Sequence, residues 1–184
     1  MMQADLSQFN NNEYNPGGGK LKRTLWFVVN GLFFRNSLNP SSVLKCWLLR
    51  CFGAKVGKGI NIKPSVNIKY PWRLTLGDYS WIGENVWIDN LDKVVIGTNC
   101  CISQGAMLLC GNHNYKKNTF DLITRKIVLE DGAWVGAQAT VCPGVTIKSH
   151  AVLAVGSVAT TDLEPYTIYQ GNPAKPIRER IIEA

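Results

Sequence analysis

The chain has 184 residues, of which 46% are apolar and 18% charged, and its formal net charge is +7. These values are typical of a single folded domain and exclude a largely disordered chain. The longest apolar runs, such as residues 25–29, are far shorter than the roughly 20 residues that span a bilayer. We therefore expect neither a transmembrane helix nor an export signal.

Positive charge is concentrated in the first part of the chain. Residues 1–73 hold eleven Lys and Arg against Asp5 and Glu13, which gives +9, whereas the rest of the chain sums to −2. Such a basic region favours an anionic substrate or an anionic membrane surface as partner. No nucleic-acid-binding motif accompanies the charge, so we expect no nucleic acid partner.

Two helices are predicted near the N-terminus. They are LKRTLWFVVNGLFF and PSSVLKCWLLRCFG, and the second has Ser42 near its start and Gly53 just past its end. A repetitive region follows, and the first unit of a repeat protein must be covered. We therefore expect residues 1–55 to form an N-terminal segment with a helical cap.

A six-residue repeat dominates the middle of the chain. Fourteen hexads begin with Val, Ile or Leu, from VGKGIN at Val56 to LAVGSV at Leu153, with two slips of two residues. The fifth position is mostly small or aliphatic, and Gly often follows the leading residue. This period is typical of parallel β-helices. We predict an all-β solenoid over residues 56–164, with three hexads per triangular coil and small residues at the corners.

The segment GNHNYKKNTFDLITRK interrupts this repeat. Because the hexad register resumes after it, we predict an extruded loop at about 109–128 within a continuing solenoid, followed by a C-terminal tail at 165–184. The six cysteines show no C-x-x-C spacing, and the chain has only two histidines. We interpret the cysteines as buried thiols and expect no metal site.

Several further motifs are shared with one enzyme family. They are DLSQFN and LLRCFGAKVG before the repeat, NHNY in the extruded loop, GAWVGAQATVCPGVTIKSHAVLAVGSVATTDL in the last coils, and YQGNPAKPIR in the tail. With them, nearly the whole chain resembles the exopolysaccharide (colanic acid type) O-acetyltransferases of the hexapeptide-repeat class. The resemblance implies a left-handed parallel β-helix, a homotrimer with sites between subunits, acetyl-CoA as co-substrate and a saccharide acceptor.

The resemblance also bears on where the acceptor is found. Exopolysaccharide units are expected to be built on lipid carriers at the inner face of the membrane, so a lipid-linked acceptor is one alternative and a free saccharide another. A cytoplasmic protein is implied. Its basic N-terminal segment, with Trp26, Phe27, Phe33, Phe34 and Trp47, either contacts the membrane surface peripherally or only caps the β-helix.

His113 is the candidate catalytic residue. Acetyl transfer from a thioester to a hydroxyl requires a base near neutral pH, because a hydroxyl is a poor nucleophile until its proton is withdrawn. Imidazole suits that role, and His113 lies in the loop where the family carries its catalytic histidine. The resemblance implies direct transfer without an acyl-enzyme. His150, within the hexad IKSHAV, is expected to be exposed and passive.

Asp89 is the first candidate for binding the acceptor. It matches a family position that contacts acceptor hydroxyls and that carries Asn in related sugar acetyltransferases. An ionised carboxylate accepts hydrogen bonds but cannot donate them, so this departure leaves its role open between sugar binding, support of the imidazolium and a solvent-facing corner. Asn112, Asn114 and Tyr115 are further acceptor-binding candidates, with turn formation as the alternative.

The acetyl donor is expected along the later coils. By resemblance, Trp134, Ala137 and Val155 line the pantetheine path. The residues expected near the nucleotide and its phosphates are Thr160, Thr161, Lys175 and Arg178. A common relative has Lys in place of Thr161, which removes one expected phosphate contact.

Three other functions remain open at this point. An acetyltransferase for another small acceptor, such as an amino sugar or an antibiotic, would use the same motifs. A zinc-dependent carbonic anhydrase on this fold needs three histidines, and the chain has two. A non-catalytic β-helix scaffold is disfavoured by His113 together with the GNPAK motif of the tail.

Overall fold

Two α-helices form the core of the N-terminal segment. The computed structural model describes residues 3–183. The helical elements are a 3₁₀ turn (Leu6–Gln8), α1 (Lys20–Val29), a π-helical continuation (Asn30–Phe34), α2 (Ser42–Cys51) and a second 3₁₀ turn (Pro71–Arg73). Ser41 caps α2, since its Oγ accepts a hydrogen bond from the Leu44 N–H at 3.3 Å.

Nineteen short β-strands follow α2 along the described chain. They are β1 (Lys55–Val56), β2 (Asn61–Ile62), β3 (Asn67–Ile68), β4 (Leu74–Leu76), β5 (Trp81–Ile82), β6 (Trp87–Asp89), β7 (Val94–Ile96), β8 (Cys101–Ile102), β9 (Met107–Leu109), β10 (Gly111–His113), β11 (Leu122–Thr124), β12 (Ile127–Leu129), β13 (Trp134–Val135), β14 (Thr140–Val141), β15 (Thr146–Ile147), β16 (Val152–Leu153), β17 (Val158–Ala159), β18 (Thr167–Gly171) and β19 (Ala174–Glu179).

Parallel pairing stacks these strands into the three faces of a triangular prism. The first face has the order β1-β4-β7-β12-β15, the second β2-β5-β8-β13-β16-β18-β19, and the third β3-β6-β9-β14-β17. Each coil adds one strand to each face, which gives five coils, and a partial sixth begins at the bridge between Ile147 and Leu163. The predicted parallel β-solenoid is confirmed.

The pairing register explains both the slips and the interruption. On the second face, Asn61, Trp81, Cys101, Trp134 and Val152 are successive partners, so the coils are 20, 20, 33 and 18 residues long. Three hexads account for 18 residues of each coil. Each slip therefore adds two residues, and the interruption adds fifteen without shifting the stack.

The hexad leaders form the core of the prism. Thirteen of the fourteen are at most 2% exposed, and the exception is Val56 in the first coil, which is partly buried. The fifth residue of a hexad lies two positions before the next leader, so both side chains point to the same side of the strand. Small residues such as Ala106, Ala133 and Ala139 are fully buried there, because two faces converge at each corner.

Glycine at the second hexad position permits the coils to stack closely. A Cβ atom on Gly83 or Gly136 would lie 2.7 Å from a backbone nitrogen of the next coil, that of Gln104 or Val155 respectively. Side chains cannot be accommodated at that distance, so the frequent Gly after a leading aliphatic residue follows from the spacing between coils.

The N-terminal helices cover the first coil. The Trp26 indole N–H donates to the Ile68 carbonyl at 2.8 Å, and the fully buried Lys45 ammonium donates to the Lys63 carbonyl at 2.8 Å. Phe34 and Leu49 are completely buried against the coil. The helices therefore satisfy polar groups of the first coil and seal its apolar interior.

The C-terminal tail closes the other end of the second face. Strand β18 pairs with β16, and β19 returns antiparallel to β18. His150, expected to be exposed, is half-buried and stacks on Tyr166 with a centroid separation of 4.7 Å. The expectation was wrong because the tail folds back over this corner.

The cysteines only partly match the expectation of buried thiols. Cys46, Cys100 and Cys110 are buried, Cys101 and Cys142 are partly buried, and Cys51 is exposed, and all six thiols are free. Cys51 lies in the last turn of α2, on the side of the helix that faces away from the coil. The expectation was therefore wrong for Cys51.

Candidate active site

The interruption of the repeat is a β-hairpin. Strand β10 pairs antiparallel with β11, His113 opposite Leu122, and the Arg125 N–H donates to the Cys110 carbonyl at the hairpin base. At the tip, Lys117 forms a 2.7 Å salt bridge with Asp121. The predicted extrusion is therefore present, but it is an ordered hairpin rather than an irregular loop.

The His113 imidazole is fixed on two sides. Its Nδ1 atom lies 2.8 Å from the Phe120 carbonyl oxygen, and its ring stacks on the Phe120 ring with a centroid separation of 4.4 Å and an angle of 8°. Because a carbonyl oxygen can only accept a hydrogen bond, Nδ1 carries the proton in the neutral ring. The lone pair is then on Nε2, which is the atom that acts as a base.

The extended N-terminus supports the same hairpin. The Phe9 ring lies 5.8 Å from the His113 ring, and the Asp5 N–H donates to the Asn118 carbonyl at 2.8 Å. Asp5 also caps the first 3₁₀ turn, where its Oδ1 accepts hydrogen bonds from the Ser7 N–H and hydroxyl. The motif DLSQFN thus holds a packing role at His113 that residue types alone did not indicate.

Asp89 lies at the base of the hairpin. Its carbonyl accepts a hydrogen bond from the Cys110 N–H, and its Oδ2 lies 3.9 Å from the position that a Cβ of Gly111 would occupy. Positions 111 and 113 lie about 7 Å apart along β10 and face the same side of it, so the Asp89 carboxylate and the His113 side chain share that side of the hairpin.

The Asp89 carboxylate is only partly neutralised. Its Oδ1 atom is 3.0 Å from the Lys69 ammonium, and its side chain is 13% exposed. No group within residues 3–183 donates an aligned hydrogen bond to this buried oxygen. A buried acceptor without an aligned donor favours a ligand hydroxyl that supplies one. Lys69 was missed by sequence reasoning, because it lies 20 residues from Asp89 and only the coil register brings them together.

The other acceptor-binding candidates all lie in the hairpin. The Asn112 Oδ1 accepts from the His113 N–H at 2.8 Å, and the Asn114 Oδ1 accepts from the Lys116 N–H at 3.2 Å. Tyr115 is 77% exposed. The two asparagines therefore shape the hairpin, as the alternative of turn formation implied, while acceptor binding by all three residues stays a prediction.

Three donor-site candidates form a wall along the second face and along the corner between the second and third faces. Trp134 lies half exposed on β13, and its indole N–H donates to the Ser103 hydroxyl at 2.9 Å. Ala137 and Val155 occupy one corner in consecutive coils, where the Gly156 N–H donates to the Ala137 carbonyl. Val155 is 68% exposed, so this wall is accessible.

The remaining donor-site candidates are divided between two places. Lys175 and Arg178 are exposed on β19, at the end of the second face. Thr160 and Thr161 are exposed after β17, beyond the third face. The structure thus brings five of the seven candidates to the second face and its corner, and leaves the two threonines at the next corner.

His113 and the donor wall do not meet within one chain. The hairpin leaves the prism between β9 of the third face and β12 of the first, whereas Trp134, Ala137 and Val155 border the second face. The whole third face separates them.

Two buried thiols are poor nucleophiles. Burial raises the pKa of Cys100 to about 11 and that of Cys110 to about 11. Both thiols are protonated near neutral pH, and a protonated thiol does not attack a thioester readily. Direct transfer, which needs no cysteine, is consistent with this chemistry.

The described chain contains neither a cluster of metal ligands nor a membrane-spanning helix. Across residues 3–183, no three His, Cys, Asp or Glu side chains converge as metal ligands would. None of the helices in that part of the chain is long and apolar enough to cross a bilayer.

Comparison with known proteins identifies the family. No family model matches the chain. The colanic acid biosynthesis acetyltransferase WcaF of Escherichia coli K12 is 38% identical over 177 residues, which cover 96% of this chain and 97% of the relative. The chain belongs to this acetyltransferase family. The resemblance drawn from DLSQFN, NHNY and the tail motif is confirmed, and so is the enzyme class, an acyltransferase.

Two solved structures share the architecture of this family. The hexapeptide-repeat acetyltransferase VCA0836 of Vibrio cholerae O1 biovar eltor, complexed with acetyl-CoA, is 22% identical with a TM-score of 0.78, and the alignment covers 89% of each chain. A galactoside acetyltransferase in complex with coenzyme A is 26% identical with a TM-score of 0.76, over 86% of this chain and 80% of the neighbour. The expected left-handed β-helix of hexapeptide-repeat acetyltransferases is confirmed.

Proposed function

We propose that this acetyltransferase moves acetyl from acetyl-CoA to a saccharide hydroxyl, with His113 as the general base. The observation that carries the proposal is the hydrogen bond between His113 Nδ1 and the Phe120 carbonyl, which leaves the Nε2 lone pair free. The relatives named for colanic acid biosynthesis and galactoside acetylation support a sugar acceptor, and the complexes with acetyl-CoA and coenzyme A support the donor.

The proposed reaction needs one base and no covalent enzyme intermediate. His113 Nε2 takes the proton of the acceptor hydroxyl as the oxygen attacks the thioester carbonyl carbon. The tetrahedral intermediate then collapses, the carbon–sulfur bond breaks, and the imidazolium returns the proton to the leaving thiolate. The products are an acetyl ester and coenzyme A, and the enzyme is unchanged.

Asp89 has a place in this proposal as a hydrogen-bond acceptor. Its buried Oδ1 lacks an aligned donor, so a sugar hydroxyl beside the reacting one would satisfy it. The Lys69 ammonium lies 3.0 Å from the same oxygen. A carboxylate on the same side of β10 as His113 also stabilises the imidazolium that forms during the reaction.

The proposed assembly is a homotrimer with active sites between subunits. The separation of His113 from the donor wall by the third face supports it, because the hairpin of one copy must reach the second face of another. A cyclic arrangement repeats the same contact at each interface and gives three identical sites.

Residence in the cytoplasm, a lipid-linked acceptor and contact with the inner membrane face stay proposals. Exposed Leu21, Phe27 and Leu32 beside the lysines of α1 favour the last of these.

An acetyl-CoA-dependent thiol-release assay tests the proposed base. We expect His113→Ala to lower kcat by roughly 10²- to 10⁴-fold, because the alkoxide no longer has a proton acceptor. His150→Ala is the matched control, since this histidine stacks on Tyr166 at another corner, and it should retain activity. The acceptor panel includes neutral sugars, an amino sugar and chloramphenicol, so that the alternative acceptors are compared directly. Full activity of His113→Ala would refute the proposed mechanism.

A further inference from the structure

Helix α1 and its π-helical continuation are apolar on two opposite sides. The inner side holds Trp26 and Phe34, which are buried against the first coil. Residues that recur at steps of four and three share one side of a helix, and a second such series lies about half a turn away from Asn30 on the inner side. Its members are each at least 50% exposed: Leu21, Leu25, Val28 and Leu32. The helix therefore covers the coil with one side and presents an apolar stripe to its surroundings with the other.

Helix α2 has the same two-sided character. Lys45 and Leu49 are completely buried against the coil. Val43 and Trp47, each two residues before one of them, are 83% and 58% exposed. Leu38, in the connection between the helices, is 86% exposed. The cap thus carries large apolar side chains on the sides that face away from the prism, where the helices of a soluble protein normally carry polar residues.

No acidic residue accompanies these two helices. The chain has no Asp or Glu between Glu13 and Asp78, and eleven Lys and Arg lie in that interval. Lys20 and Arg35 are exposed at the two ends of the α1 stripe, and Arg50 is exposed next to the α2 stripe. A surface of apolar side chains bordered by cations alone has the chemistry of a helix that lies on an anionic lipid surface.

A second copy of the cap does not complement this surface. Two such surfaces bring like charges together, and neither contributes a carboxylate that would compensate them. A layer of anionic headgroups supplies the opposite charge. The boundary between headgroups and acyl chains receives leucine side chains and an indole ring, which is the place that Trp prefers in membranes. Charge and apolar exposure therefore favour the same occupant.

We infer that the outer sides of α1 and α2 dock on an anionic phospholipid surface, with Leu21, Leu25 and Trp47 inserted at the boundary between headgroups and acyl chains. The inference deepens the proposed function and rests on it for its purpose, since docking holds the enzyme beside a lipid-linked saccharide. In the proposed cyclic trimer the three caps lie at one level along the axis, so all three reach the same bilayer and their contacts reinforce one another. These side chains take no part in proton transfer.

Sedimentation with vesicles tests the inference. The vesicles contain phosphatidylcholine and phosphatidylglycerol in equal parts, or phosphatidylcholine alone. The apolar variant combines Leu21→Gln, Leu25→Gln and Trp47→Gln, which changes exposed side chains and leaves the charge and the buried side of each helix intact. The charge variant combines Lys20→Gln and Arg35→Gln.

Each variant has a matched control at exposed positions outside the cap. The apolar control removes three isoleucines from the C-terminal tail, and the charge control removes two lysines from the hairpin and its base. They are Ile177→Gln with Ile181→Gln and Ile182→Gln, and Lys116→Gln with Lys126→Gln.

Wild type should partition onto the anionic vesicles roughly ten-fold or more strongly than the apolar variant, because the inserted side chains lose their contact with water. The charge variant should also bind these vesicles roughly ten-fold less than wild type, and added salt should weaken the binding of wild type. Both controls should bind as wild type does. The apolar variant should keep wild-type thiol release with a soluble acceptor, which verifies that it is folded.

Two results with vesicles would overturn the inference. One is equal binding of wild type and the apolar variant to anionic vesicles, and the other is equal binding of wild type to anionic and neutral vesicles. If the apolar variant does not fold, the charge variant decides, and undiminished binding by that variant overturns the inference.

Light scattering without vesicles examines the other occupant. A smaller assembly for the apolar variant than for wild type would show that these sides of the helices join copies of the chain, and the lipid contact would then be wrong. Failure of the proposed function is a separate outcome, since it appears as full activity of His113→Ala in the thiol-release assay without vesicles.

Discussion

The reactivity of single residues in this enzyme follows from what surrounds them. His113 is oriented by the Phe120 carbonyl and by two aromatic rings, whereas Cys100 and Cys110 are embedded among backbone groups of the coil corners. Imidazole with a free Nε2 is suited to accept a proton. Thiols that burial keeps protonated are suited to packing, and Cys100 occupies a corner that Ala133 and Ala151 fill in the next two coils.

The buried thiols should make the enzyme less stable in alkali. The unfolded thiols titrate near pH 9.0 and the folded ones near 11, so the folded state binds more protons between these values. The free energy of unfolding therefore falls as pH rises through this window, by roughly 1.4 kcal/mol per thiol at pH 10. Urea unfolding under reducing conditions at pH 8 and pH 10 measures the loss.

The variant with Cys100→Ala and Cys110→Ala isolates the thiol contribution. We expect it to lose about 3 kcal/mol less than wild type between pH 8 and pH 10, since the remaining titrating groups are shared by both proteins. Ala suits the Cys100 position because Ala133 occupies the same corner in the next coil. An identical pH dependence in both proteins would contradict the assignment.

The sequence predicted the burial of single side chains correctly where the six-residue period determines it. Leaders such as Ile82 and fifth residues such as Ala139 are buried because every hexad repeats the same geometry. Lys69 and Phe9 were missed, since their contacts with Asp89 and His113 depend on coil length and on the path of the N-terminus. Neither quantity is visible in a local pattern.

At the scale of elements, the hairpin and the N-terminal strap act as a unit. The strap comprises residues 5–14. It contacts the hairpin through Asp5 and Phe9. It also contacts the loop after β6, where the Tyr14 hydroxyl donates a hydrogen bond to the Leu91 carbonyl. The sequence predicted an extruded loop, because GNHNYKKNTFDLITRK interrupts the hexads and the register resumes after it. The antiparallel pairing of β10 and β11 depends on backbone bonds that side-chain patterns report poorly.

Phe9→Ala should loosen the hairpin and misplace the His113 imidazole, the proposed base. We expect kcat to fall by about 3- to 10-fold with KM for acetyl-CoA unchanged, because a misoriented imidazole reaches the hydroxyl less often. Trypsin should cleave faster after Lys116 or Lys117 at the hairpin tip, which limited proteolysis followed by mass spectrometry measures.

Phe9→Tyr is the conservative comparison for this prediction. It keeps an aromatic ring next to His113, so it should restore most of the rate and the protection from trypsin. Equal rates and equal cleavage in wild type and Phe9→Ala would show that the strap does not support the base. The proposed role of the strap in orienting His113 would then be wrong.

At the scale of the whole molecule, the coil stack determines which functional parts can meet. The hexads fix three faces, and the topology places the hairpin at one edge and the donor wall at another. The number of coils and the position of the interruption were predictable from the register. The proposed meeting of His113 with Val155 was not, because it would involve a second copy of the chain and a sequence describes only one.

Complementation between inactive variants tests a shared site. His113→Ala removes the proposed base, and Val155→Arg puts a bulky charge into the exposed donor wall without disturbing the core. If each site takes His113 from one subunit and Val155 from the next, random mixed trimers contain native sites at about a quarter of their interfaces. Refolding the two inactive variants together at equal concentration should restore about a quarter of wild-type turnover, with light scattering to verify a trimer.

The control mixes His113→Ala with the double variant His113→Ala and Val155→Arg. No arrangement of these subunits contains a native base, so the mixture should remain inactive whatever its oligomeric state. Sites built within a single chain predict no recovery in either mixture, because each variant then carries its own defect. Recovery only in the first mixture would mean that the hairpin of one subunit acts at the second face of its neighbour. Within one chain the third face lies between the hairpin and the second face.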